Sequence, residues 1–123
     1  MANLKLEGVD NLAKELQKLN QKGKRIENKA LKSAGNVVEK AIKEETPTDS
    51  GSLKDSIFTS NIKTKEGIKH VEVGPDKDGW YGAFIEFGTV NITANPFMGR
   101  GYEKSKEQAE TEIANELKRG LGL

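Results

Sequence analysis

The chain has 123 residues, 34% of them apolar and 32% charged, and it carries no cysteine. Twenty basic residues face nineteen acidic ones, a balance that leaves no strong field for drawing the protein to DNA, RNA or anionic lipid. The length suits one domain spanning 1–123, with a core that covers roughly two-thirds of the surface the unfolded chain exposes, and the lack of cysteine rules out a disulfide scaffold and favours a reducing compartment.

The opening segment lacks the apolar run of a signal peptide, and no stretch approaches the roughly 20 apolar residues of a spanning helix. A soluble cytoplasmic product is expected. Leu4 and Leu6 alternate with polar residues, a short strand that ends at Gly8. Val9, Leu12, Leu16 and Leu19 then recur at three and four, the stripe of a helix for which Asp10 would be the N-cap. Gly23 reads as the break before a second, alanine-rich stripe of Ile26, Ala30, Ala34, Val37, Val38, Ala41 and Ile42. Its small residues let a neighbouring element approach closely. Pro47 ends it near Glu45 by pushing Thr46 out of helical geometry.

Residues 46–52 are turn chemistry, with Thr48, Asp49 or Ser50 available to cap a helical turn around Leu53. From Ser56 to Val73 the texture is strand-like, with a hairpin turn at 65–67. A loop at 75–79 leads to Trp80, Tyr81, Ala83, Phe84, Ile85 and Phe87, the densest apolar segment. Its aromatic rings read as core, so that Phe84→Ala or Phe87→Ala should cost roughly 3–5 kcal/mol. Extended backbone there would set Glu86 on the face of Phe84 at a sheet margin, where a carboxylate needs solvent or a partner: the Thr89 hydroxyl, backbone beyond Gly88, or Arg100. Asn95 as N-cap with Pro96 as first helical residue opens a terminal helix along Ala109, Ile113 and Leu117. The pattern is α+β: a short N-terminal strand, long amphipathic helices on a small, mostly antiparallel sheet, and a C-terminal helix.

Little of this chain reads as catalytic or ligand-binding. His70, the sole histidine, falls on a strand opposite Val71 and reads as solvent-facing, so neither a Ser-His-Asp set nor a zinc site is expected. Asp76-x-Asp78-Gly79 resembles part of a calcium loop, but its twelfth position is Phe87 where a bidentate glutamate is required. No phosphate-binding glycine loop occurs, and no cofactor or metal is implied. Residues 1–45 carry ten basic and seven acidic side chains. Lys14, Lys18, Lys22, Lys24, Arg25, Lys29 and Lys32 cluster there, interleaved with Glu15 and Glu27. Ordinary surface pairing explains them best; a small DNA-binding protein is the alternative from another functional class.

Three segments stand out: Pro47-Thr48-x-x-Gly51-x-Leu53, Tyr81-x-x-Phe84-x-Glu86-Phe87-Gly88-Thr89, and Pro96-Phe97. With the Gly8-to-Leu12 start, their order and spacing resemble the HK97 gp10-like family of tailed-phage proteins over almost the whole chain. One departure is Met98-Gly99-Arg100, where the family often places arginine one residue earlier and follows it with proline. The resemblance implies a virion or prophage structural protein without enzymatic activity. It would form a homo-oligomeric ring at the neck between portal-capped head and tail, or act as a tail-completion protein. Its partners would be portal or adaptor proteins on one side and tail proteins on the other, with no membrane and no direct nucleic-acid contact. It would be made in the host cytoplasm and end in the virion. The loops at 46–55, 63–67, 75–79 and 89–95 are the expected docking surfaces, with 46–55 and 89–97 close together.

Overall fold

The computed structural model describes the backbone of residues 2–5 and all of 16–48 and 51–123. The first helical stripe up to residue 15, with its Asp10 cap, and the candidate caps Asp49 and Ser50 lie outside the described residues. The elements are β1 (Ala2–Lys5), α1 (Gln21–Glu45), α2 (Ser52–Ser56), β2 (Ile57–Thr59), β3 (Lys63–Lys65), β4 (Ile68–Pro75), a 3₁₀ turn (Lys77–Gly79), α3 (Gly82–Phe87) and α4 (Phe97–Leu121). The protein is α+β, as its patterning predicts.

β4 is the centre of an antiparallel sheet. β1 pairs along one edge, with Leu4 opposite Val71. β3 and β2 follow one another along the other edge, with Thr64 opposite Lys69 and Phe58 opposite Gly74. Between them, Ser60 bridges to the backbone of Glu72 in both directions: its N–H donates to the carbonyl at 2.8 Å and its hydroxyl accepts the amide at 2.9 Å. The hairpin turn falls at Glu66 and Gly67, whose φ values of 53° and 79° suit the right-handed twist of the flanking strands. His70 lies on this central strand, across from Lys5 on one side and Lys63 on the other. It is buried, with Nε2 3.6 Å from Glu72 Oε1. The expectation that it faces solvent is therefore corrected, because neighbours flank the strand on both sides at that position.

α1 lies on the sheet, and α4 packs along α1. One apolar cluster joins the layers: Leu31, Val38 and Ile42 from α1, Val71 and Val73 from β4, Phe97, Ile113 and Leu117 from α4. Small residues set the spacing. Gly35 lets β2 and β4 approach, since a Cβ there would stand 2.5 Å from Thr59 Cγ2 and 3.1 Å from Val71 Cγ2. Gly101 does the same for the helix pair, where a Cβ would stand 2.6 Å from the Cα of Ile42. Gly120 lies against Ile26, so α4 runs antiparallel to α1. Gly23 is not the helix break. It sits in the first turn of α1, where a Cβ would collide with the carbonyl of buried Leu16, and the break falls earlier, at Asn20 with φ of 55°. At the other end Thr46 is extended, as a residue before proline should be, and its hydroxyl donates to the Ile42 carbonyl at 2.6 Å.

Gly101→Ala tests the close helix contact. Alanine gains about 1 kcal/mol of helix propensity, but the new methyl would press on the backbone of Ile42 as well as its Cγ1, at a cost of about 1–3 kcal/mol. A net loss of stability in urea denaturation is expected, and a more stable variant would disprove the contact.

Candidate functional site

Residues 80–97 build one end of the molecule. The aromatic segment is helical, not extended, and this changes which rings are inside. Along α3 and the turn before it, Tyr81, Gly82, Ile85 and Glu86 face inward, while Trp80, Phe84 and Phe87 face outward at intervals of four and three. Tyr81 and Ile85 pack against the core cluster. Gly82 is buried under Leu53 and Phe97, so the 46–55 and 89–97 segments meet there as expected. Leu53 and Phe97 are core residues. Phe84 and Phe87 are not. They are 49% and 78% exposed, and Trp80 is 68% exposed. The core role expected of Phe84 and Phe87 is thus overturned by helical geometry.

Glu86 is the hinge pin of the arrangement. It is buried, and its carboxylate reaches the first turn of α4: Oε1 accepts from the Met98 N–H at 2.8 Å and Oε2 from the Gly99 N–H at 3.2 Å. Pro96 occupies the N-cap position and has no side-chain oxygen to offer. Glu86 therefore supplies from another helix what a capping serine or aspartate supplies locally, and places negative charge at the positive end of the helix dipole. Of the partners expected for it, backbone beyond Gly88 is the one found. Asn95 is not the cap. Its N–H donates to the Ile85 carbonyl at 2.8 Å, and its Oδ1 accepts from Arg100 Nη2 at 2.6 Å.

Gly88 turns the chain out of α3 with φ 76° and ψ 173°, a region essentially reserved to glycine. A Cβ there would also stand 2.8 Å from the Ala94 nitrogen and the Ile92 oxygen. Thr89 closes the next loop. It exchanges backbone hydrogen bonds with Ile92, and its Oγ1 accepts from the N–H groups of Asn91 and Ile92. The closure pushes Val90 fully into solvent and leaves Ile92 half exposed. Trp80, Phe84, Phe87, Val90 and Ile92 make up five of the nine exposed large apolar side chains among the described residues. Trp80 meets Tyr81 and Phe84 edge-on at 6.0 and 5.9 Å, which fixes its ring. From Gly79 to Ala94 the only charged residue is Glu86, turned inward. The result is an uncharged aromatic ridge on a rigid base.

The rest of the motif stands beside this end. Pro47 is half-buried, Thr48 is exposed, and Gly51 caps α2 with φ of 75°. Glu45 Oε1 accepts from Arg100 Nε at 3.3 Å and Lys104 Nζ at 2.8 Å, tying the end of α1 to the start of α4. Of the basic cluster, Lys32 donates to the Thr59 and Ser60 carbonyls and Lys29 pairs with Glu116, while Lys22, Lys24 and Arg25 are exposed. The Asp76–Gly79 segment is a plain turn in which Asp76 Oδ1 accepts from the Asp78 N–H. No helix among the described residues is long and apolar enough to cross a membrane.

The sequence reading missed the exposure of Trp80, Val90 and Ile92. The available signal was the four-residue spacing of Trp80 with Phe84 and of Tyr81 with Ile85, which belongs to a helix. A family model described as "Bacteriophage HK97-gp10, putative tail-component" matches residues 10–88, more than half of the chain. Neither the curated proteins nor the solved structures contain a significant match.

Two outcomes are expected here. Glu86→Ala should lower stability by about 1–3 kcal/mol, because two N–H groups lose their acceptor, whereas Phe87→Ala should stay within about 0.5 kcal/mol of the parent. Thermal melts of both decide, and the reverse order would return Phe87 to the core. The second concerns acid. The hydrogen bond from Lys104 holds the Glu45 carboxyl below its ordinary value, and the hydrogen bond from Lys63 does the same for Glu72. Groups shifted this way stabilise the fold above the carboxylate range and stop doing so as pH falls through it. The melting temperature should therefore fall below about pH 4.5, and fall less in a Glu45→Gln, Glu72→Gln double variant.

Proposed function

The chain belongs to the HK97-gp10-like family, and from that membership we propose that it is a non-catalytic virion subunit joining head to tail. In this reading it forms a ring at the neck of a tailed phage or prophage particle, with portal or adaptor proteins above it and tail proteins below. The observation that carries the proposal is the ridge of Trp80, Phe84 and Phe87, exposed on a base that Glu86 and Gly88 hold in place. A soluble subunit that kept such a surface for no partner would have an apolar patch prone to nonspecific association. A subunit that buries it on assembly has the aromatic anchor typical of interface centres. The same surface would serve a tail-completion subunit at the end of the tail tube.

A DNA-binding role has less support. Lys29 and Lys32 are engaged within the molecule, and the near-zero net charge gives no long-range attraction.

The test is complementation of a phage or prophage lacking this gene with a Trp80→Ser, Phe87→Ser variant whose melting curve matches the parent. Particle titre should drop by orders of magnitude, with filled heads and separate tails seen by electron microscopy. Normal titres with the folded variant would refute an assembly role for the ridge.

A further inference from the structure

We propose that the partner of the aromatic ridge is a second copy of this chain, which receives Phe87 and Trp80 in a cationic groove at the far end of its helix pair. The inference rests on the reading of the ridge as an assembly surface and adds its occupant.

The groove lies between the first turns of α1 and the last turn of α4. It has a volume of about 280 Å³, and Lys22, Arg25, Ile26, Lys29, Glu116, Arg119 and Gly120 line it. Its floor is apolar because Ile26 covers Gly120, where any side chain would strike it. Its rim is basic. Buried Glu116 pairs with both Arg119 and Lys29 and so fixes two of the cations at the lip. Lys22 and Arg25 stand exposed beside them. A ring entering this groove edge-first sets its rim on the apolar floor and turns its faces to the ammonium and guanidinium groups of the walls, and the negative quadrupole of those faces attracts cations within about 6 Å. The ridge meets that requirement: it offers aromatic rings, and its one nearby charge is buried beneath it.

The two surfaces cannot meet within one molecule. The ridge sits at the start of α4, where Glu86 caps it, and the groove sits at its end. From Gly101 to Gly120 the helix advances about 28 Å. A contact between unlike ends of identical chains is heterologous, so each subunit can take one neighbour and offer itself to another, closing a ring or running into a filament.

The chain has no cysteine, so introduced thiols report without background. Ala83→Cys marks the ridge and Lys22→Cys marks the groove, both at exposed positions. With a short bismaleimide, on purified protein at high concentration and on assembled particles, the doubly substituted chain should give a covalent ladder beyond dimer. A mixture of the two single variants should give mainly the mixed dimer. Adding Phe87→Ser or Arg25→Glu should remove the ladder, and Phe87→Tyr should keep it. Dimers of the Ala83→Cys chain alone would mean that ridge meets ridge, and absence of cross-links in both preparations would mean that the ridge meets a different protein. Either result overturns the proposal and leaves the complementation test to judge the assembly role. A ladder with normal titres for the ridge variant would uphold the contact and sink the assembly role.

Discussion

Much of the Tyr81–Phe97 end of this protein depends on one carboxylate satisfying two amide groups. A helix start leaves N–H groups without intrahelical partners, and α4 starts at a proline that cannot help. Glu86 meets that need from α3, so neither helix holds its position without the other. The same contact brings the Ile85 carbonyl to the Asn95 N–H and sets Phe97 over Gly82. The buried residues of the Tyr81–Phe97 stretch are thus fixed relative to one another before any exposed ring is considered.

That arrangement divides a short run of apolar residues into two populations. Residues facing the core hold α3 down; residues facing away are held out, and the closed Thr89 loop extends the outward face through Val90 and Ile92. An aromatic surface carried on a fixed backbone loses less conformational freedom when it is covered than one on a mobile segment. The edge-on contacts of Trp80 contribute to the placement of its ring.

The long elements were legible in the sequence. The stripe from Ile26 to Ile42, the hairpin turn before Ile68 and the terminal helix through Ile113 follow from periodicity and turn chemistry, and the structure has each of them. Pro47 ended α1 where expected. What could not be read from local pattern depended on tertiary contact. Gly23 looked like a break because glycine usually is one, but it serves a close approach by Leu16. His70 looked exposed because the strand's neighbours were not yet known. The aromatic segment is six helical residues plus a turn, too short for periodicity to outweigh the strand propensity of its rings. The cap on α4 was legible only in part: Glu86 needed a partner and backbone beyond Gly88 was among the candidates, but donor and acceptor lie on different elements, and the local cap candidate, Asn95, was a sound choice on sequence grounds alone.

α1 and α4 are both 25 residues long and antiparallel. Each spans about 37 Å, and they are clamped at both ends, by Glu45 with Arg100 and Lys104 and by Glu116 with Lys29. Mechanically this is a braced strut. Two rods fastened at their tips resist bending and shear better than either alone, so a displacement imposed at one tip reaches the other with little loss. A chain built this way is stiff along its length, and the two ends of its helix pair keep a fixed separation.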